Sequence, residues 1–207
     1  KTLLEQQLGL PVAVENDVNA AAMGEYAFGA AKGKRDFVML TFGTGIGGAA
    51  FAGGQLYRGS LGSAGEFGGL ITHPEAVDPA CQGTGSYERY ASTTALVKRV
   101  SARFPELTDG RAIFARLEDE GVRAEVDGWI REISYGLVSL IHAFDPEAVV
   151  LGGGVMKQDY IQSQLARQLQ PLLKPSFRGC RLIPAQLGNQ AGLMGAGYLA
   201  GRCAGLE

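Results

Sequence analysis

Two stretches concentrate the residues able to do chemistry. "TFGTGIGG" at 41–48 places four glycines and two threonines directly behind the apolar run Phe37-Val38-Met39-Leu40. Glycine lets backbone N–H groups come close to an oxygen-rich anion, and the Thr41 and Thr44 hydroxyls add donors, so phosphate is the natural guest. An ordinary hairpin, whose glycines only relieve turn strain, has the same composition. Residues 43–48 also satisfy G-x-G-x-x-G, with Glu66 near the interval where a ribose-binding acid is expected. Context removes the dinucleotide reading, because that fingerprint must open a helix and these glycines lead into a second strand. No Gly-Lys-Ser/Thr follows, which removes a Walker loop.

The second stretch is "PVAVENDVNAAAMGE" at 11–25. It places Glu15, Asn16, Asp17 and Asn19 at the carboxyl end of a predicted strand, the edge at which open α/β sheets bind ligands. A hydroxyl attacking a phosphoryl group loses its proton, and a positioned carboxylate such as Asp17 can take it with an ordinary aspartate pKa of ~3.9. Asp or Asn ahead of a helix also serves as an N-cap, and Asn16, Asp17 and Asn19 all fit that use.

The elements that must position these groups follow from periodicity. A helix is expected at 1–8, a strand at 11–15, a helix at 18–29, and strands at 36–42 and 46–52, with a Gly53-Gly54 turn and Gln-Leu-Tyr returning. A glycine-rich loop follows at 59–69. Helical patterns run over 92–103, 109–118 and 121–143, the last stopping before Asp145-Pro146. Then come a buried strand at 147–151, a helix at 157–170, a strand at 180–185 and a helix at 190–202. The alternation predicts a layered α/β domain.

The 207 residues suffice for one domain with a sizeable core. Lys and Arg total 19 against 21 Asp and Glu, a formal net charge of −2 without long charge runs, which argues against nucleic-acid binding through this segment. Cys81, Cys180 and Cys203 are odd in number and form no C-x-x-C pair, as expected for a reducing compartment, so a cytoplasmic location is expected. Apolar runs such as "AVVLGGGVM" fall far short of the ~20 residues a membrane helix requires, and no signal peptide opens the chain. A soluble protein with no membrane association is expected. The chain opens at Lys1 with an amphipathic pattern already under way, which reads as an entry into something larger.

Taken together, "PVAVENDVNAAAMGE", "TFGTGIGGAAFAGGQLYRGSLGSAGEFGG", "YERYASTTAL", "AVVLGGGV" and "LGNQAGLMGAGYLA" resemble, in order and spacing, the ROK family of sugar kinases and related repressors. The resemblance covers almost the whole chain. It implies an actin-like, ribonuclease-H-like lobe, a mixed sheet with flanking helices, forming the carboxy-terminal half of a two-lobed kinase over 1–207. It also implies ATP-dependent phosphorylation of a hexose or hexose derivative, with Mg²⁺, Asp17 as general base and Asn16 on sugar hydroxyls. Thr44 and Gly45 would then receive the ATP phosphates, and Gly152, Gly153 and Gly154 would lie against the nucleoside. Glu66, from A-G-E-x-G-H, and Glu88, four residues before Ser92, would each accept sugar hydroxyl hydrogen bonds. By themselves Glu66 and Glu88 read as solvated surface acids. The resemblance further implies a homodimer.

The pattern breaks in two places. Many relatives carry C-x-C-G-x-x-G-C with an upstream histidine that holds a structural zinc. The matching stretch here is "PACQGTGS", in which only Cys81 survives, so no zinc is expected; Gly-His of the sugar loop has become Gly68-Gly69, which leaves the sugar open. His73 reads as an exposed loop residue, and His142 as packed or helix-terminal. The second break is the amino-terminal lobe with D-x-G-x-T, to which nothing in the chain corresponds, so the segment alone is expected to show little kinase activity. The alternative function implied by the same resemblance is the sugar-sensing domain of a ROK repressor, which would bind sugar without turning over ATP.

Overall fold

The computed structural model describes residues 1–205. In chain order the elements are α1 (Thr2–Leu8), α2 (Asp17–Phe28), β1 (Phe37–Phe42), β2 (Ile46–Ala52), β3 (Gln55–Leu56), α3 (Tyr87–Ala91), α4 (Thr93–Ser101), α5 (Gly110–Phe114), α6 (Glu120–Phe144), β4 (Ala148–Gly152), α7 (Asp159–Leu169), β5 (Arg181–Pro184) and α8 (Ala191–Cys203). The sheet order is β3-β2-β1-β4-β5. β1 pairs antiparallel with β2 and parallel with β4, and β4 pairs parallel with β5. This is the mixed sheet with flanking helices expected of an actin-like ATPase lobe.

Alternation along β1 sorts its side chains into two layers. Val38, Leu40 and Phe42 join Trp129, Ile130, Ile133 and Leu137 of α6 in the larger core. Phe37 and Met39 point the other way, into a smaller core with Ala22 and Met23 of α2 and Val150 of β4. Tyr26, Phe51 and Phe37 stack there, with ring centroids 4.9 Å apart for Tyr26 and Phe51 and 4.5 Å for Phe37 and Phe51, so α2 is fixed to the β1–β2 hairpin. The alanine-rich sequence of α2 suits both helix formation and close packing on α8. α6 starts at Asp119, whose Oδ1 accepts from the amides of Gly121 and Val122 at 2.8 and 3.2 Å. It stops at Asp145, held in the left-handed region at φ 45° ahead of Pro146.

Three expectations need correction. The strand over 11–15 does not form, because among the described residues no neighbouring strand offers it a ladder. The amide of Val12 instead donates to Glu5 Oε1 at 3.1 Å, and Val14 is 67 % exposed. The segment 109–118 is helical only over Gly110–Phe114. A short helix, α3, stands where none was expected, joined to α4 at Ser92, whose hydroxyl accepts from the Ala95 amide at 3.1 Å.

Candidate active site

A cleft of about 490 Å³ opens at the carboxyl ends of β1 and β4. Asn16, Asp17, Thr44, Gly45, Glu66, Glu88, Gly153 and Gly154 all line it. Eight positions expected to do chemistry, drawn from five separate places along the chain, thus face one space. Gly152 does not; it ends β4 as a buried residue packed on Thr41 and Met39.

At the start of α2 the cap is Asn16. Its Oδ1 accepts from the amides of Val18 and Asn19 at 2.9 and 3.1 Å, which supplies partners for two of the helix's free donors. Asp17 occupies the first helical position with its side chain exposed to the cleft, its Oδ1 2.9 Å from the Val18 amide. Behind them Glu15 accepts from Arg58 Nε and Nη2 at 3.0 and 2.7 Å, from Asn19 Nδ2 at 2.9 Å and from the Asn16 amide at 3.1 Å. Burial pushes the Glu15 carboxyl up, but these donors and the Arg58 charge outweigh it and hold the group below its usual value. Neither Glu15 nor Arg58 was assigned a role from the sequence, although Glu15 stands in the same motif as Asp17.

The turn Gly43-Thr44-Gly45 joins β1 to β2. The Gly43 amide donates to the Gly45 carbonyl at 3.0 Å, while the amides of Thr44 and Gly45 have no intramolecular acceptor among the described residues. Two unpartnered amides and a threonine hydroxyl at a glycine turn form a cradle suited to a phosphate. The turn is braced from outside, where the Thr93 amide donates to Gly43 O at 3.0 Å and the Thr93 hydroxyl to Phe42 O at 3.2 Å. Two glycines of the hairpin leave room for neighbouring side chains. At Gly45 a Cβ would stand 2.6 Å from Glu88 Oε2, and at Gly47 2.5 Å from Val18 Cγ2. The missing side chains let α3 and α2 bring Glu88 and Asp17 against the same hairpin. Glu88 Oε2 lies 3.4 Å from the Ile46 amide.

Beyond the turn the cleft opens into a recess of about 1000 Å³, sharing Phe42, Gly43, Thr44 and Gly154 with it. α4 and α5 wall the recess with Val97, Lys98, Asp109, Arg111 and Phe114. Sequence reasoning missed these residues, since nothing in the spacing of two short amphipathic helices marks a ligand wall.

A sequence model of the ROK family matches residues 1–202. The chain belongs to the ROK family. This ROK chain is 36 % identical to the glucokinase of Streptomyces coelicolor over 223 residues, an alignment that takes in 97 % of the chain and 70 % of that protein. It is 36 % identical over 208 residues to the beta-glucoside kinase of Listeria monocytogenes, covering 96 % of the chain and 67 % of that protein. Among solved structures it superposes on the ROK family glucokinase from Streptomyces griseus in complex with glucose and AMPPNP with a TM-score of 0.84 at 36 % identity, covering 98 % of the chain and 72 % of that structure.

Other expectations for the ROK chain concern residues that do not line the cleft. His73 departs from the expected exposed loop residue, being half-buried between Glu75 and Glu132. His142 sits in the last turn of α6, where its Nε2 accepts from the Lys174 amide at 3.3 Å. Cys81, Cys180 and Cys203 are all free thiols, and burial pushes that of Cys180 up to about 11. Among the described residues no group of three or more His, Cys, Asp or Glu side chains could hold a metal ion, and no helix is long and apolar enough to cross a membrane.

Proposed function

We propose that this chain carries the acceptor site and the base of an ATP-dependent sugar kinase acting on a hexose or hexose derivative, with Asp17 as the general base. One observation carries the reading: Asp17, Asn16, Glu66 and Glu88 share a single cleft with the bare amides of Thr44 and Gly45. A proton acceptor, hydroxyl-binding groups and a phosphate cradle are what phosphoryl transfer to an alcohol needs within one contact distance.

Each side chain's part follows from its bonding. Capping engages Asn16 through Oδ1 and leaves Nδ2 to donate to a sugar hydroxyl. Glu66 and Glu88 each present a carboxylate that accepts two hydroxyl hydrogen bonds, fixing the ring's orientation. Asp17 then takes the proton of the attacking hydroxyl. When bound, ATP supplies the transferred phosphoryl group, and Mg²⁺ neutralises its charge. Thr44 and Gly45 would hold its phosphate oxygens, and the α4–α5 recess with Gly153 and Gly154 at its mouth would hold the nucleoside.

A lobe carrying D-x-G-x-T would supply the facing wall of the nucleotide site. The reading includes a cytoplasmic homodimer that needs neither nucleic acid nor membrane as a partner. It is supported by the likeness to the Streptomyces and Listeria kinases and by the cleft itself.

The test is phosphoryl transfer from ATP to glucose, N-acetylmannosamine and a β-glucoside, with the chain alone and joined to a D-x-G-x-T lobe. Turnover is expected in the joined form. Asp17→Asn should lower kcat by about 10²–10⁴-fold while sparing the sugar Kd; unchanged turnover removes Asp17 from the role. Sugar binding with no ATP turnover would favour the repressor reading instead.

A further inference from the structure

We infer that His73 is a positioning residue, which as an imidazolium gripped by Glu75 and Glu132 clamps the 70–86 loop to α6 and sets where Glu66 and Glu88 stand in the cleft. The inference rests on the proposed sugar site and adds a pH-sensitive element to it.

His73 Nδ1 lies 2.8 Å from Glu75 Oε1, and Nε2 lies 2.8 Å from Glu132 Oε2. Ionised carboxylates only accept, and a neutral imidazole has one N–H and one lone pair. Both contacts are hydrogen bonds only when both ring nitrogens carry hydrogen, so the geometry requires the charged ring. The face of that ring stacks on Tyr90 of α3, centroids 3.7 Å apart and planes 22° apart, which also favours a cation. Burial works against the charge, yet the bonds and charges of Glu132 and Glu75 outweigh it and hold the His73 pKa above 6.5. The groups facing His73 are Glu75 on its own loop, Glu132 on α6 and the Tyr90 ring on α3. The Tyr87 phenol near Glu132 is fully buried and stays neutral, its pKa pushed well up by burial.

The clamp reaches the cleft through the backbone. The amides of Thr72 and His73 both donate to Gly85 O at 3.1 Å, and the Tyr87 amide donates to Leu70 O at 2.7 Å, so the two limbs of the loop are zipped together. One limb leads back to Glu66, and the other runs on to Glu88, whose carboxylate rests on Gly68 of the first limb. The whole assembly is tied to consecutive residues of α6, by the Glu132 side chain and by the Ile133 carbonyl, which accepts from the Tyr87 hydroxyl at 2.8 Å. Loss of the ring's charge turns one nitrogen into a lone pair facing a carboxylate and leaves the largely buried Glu132 without its counter-ion.

The sign follows from the raised pKa. The clamp is complete below about pH 6.5 and is lost as pH rises through the folded-state pKa of His73. With only two histidines in the chain, a ring-proton NMR titration over about pH 5.5 to 9 resolves His73 from His142. His73 should titrate above 6.5, the amide signals of Glu66 and Glu88 should follow the same curve, and Glu132→Gln should lower the midpoint. Glucose affinity by calorimetry should weaken by about three- to tenfold across that midpoint. In His73→Gln it should stay at the weak level at every pH, and in the His73→Gln, Glu132→Gln double variant, where two amides pair without charge, it should recover and stay flat. A His73 midpoint at or below 6.5, still Glu66 and Glu88 signals, or unchanged affinity in His73→Gln overturns the clamp. Should glucose fail to bind at any pH, the sugar reading falls, and the ring titration and the Glu66 and Glu88 amides decide the clamp without it.

Discussion

Arg58 and Glu15 meet side-on: Nε and Nη2 of the guanidinium both contact Glu15 Oε2, at 3.0 and 2.7 Å, across 43 residues of sequence. The pair joins the loop after β3 to the residue preceding the Asn16 cap, so it fixes the start of α2 from behind while Asp17 faces the cleft.

Arg58→Ala removes this support. Arg58 is about half exposed, which discounts the ion pair for screening, and the expected loss of unfolding free energy is about 0.5–1 kcal/mol at pH 7. The Glu15 carboxyl is held below its ordinary 4.5, so its contribution is present above that pH and vanishes as pH falls through the lower folded value. Urea melts at neutral and strongly acid pH should show the variant and the parent converging in acid; a constant gap would mean that Arg58 acts by packing alone.

Gly45→Ala probes the contact between the phosphate turn and Glu88. The new Cβ would stand 2.6 Å from Glu88 Oε2, the free end of a flexible side chain, so Glu88 moves and the backbone does not. Stability should change by less than about 0.5 kcal/mol, while sugar affinity falls about tenfold through the displaced carboxylate. Thermal melts and calorimetry with glucose separate the two effects. A large drop in melting temperature would show that the turn itself had been broken.

Glu25 is a carboxylate with no solvent exposure that serves as a structural acceptor: Oε2 takes the Ala30 amide at 2.7 Å and Oε1 the Leu187 amide at 2.8 Å. Glu25→Ala leaves two half-buried amides without their acceptor and should cost about 1–3 kcal/mol. Glu25→Gln keeps one acceptor and should cost less. Equal losses in the two variants, read from urea denaturation, would contradict the acceptor role.

α2 and α8 pack backbone to backbone, and a Cβ at Gly195 would overlap the Ala20 carbonyl and lie 2.9 Å from the Gly24 amide. Gly195→Ala should therefore force the helices apart and destabilise by about 1–3 kcal/mol, despite alanine's better helix propensity. Because Gly192 of α8 lies beside the Asp17 backbone, turnover in the joined enzyme should fall with it. A stabilised variant would mean that the two helices slide freely.

Local chemistry made much of this protein readable. Strands β1 and β2 with their glycine turn and the stop of α6 at Asp145-Pro146 declare themselves through periodicity and turn residues, which depend on neighbours a few positions away, whereas Glu66 and Glu88 stand out only through the resemblance to the ROK family. What the sequence could not decide is what depends on distant partners. Residues 11–15 look like a strand but lie beside no ladder among the described residues; Asn16 takes the cap and frees Asp17; His73 finds Glu132 at a separation of 59 residues. The α4–α5 recess exists only because two short helices, unremarkable by pattern, are folded onto the end of β1. A side chain's type is local, but its partner, burial and charge state are set by segments that only the folded sheet and helices bring together.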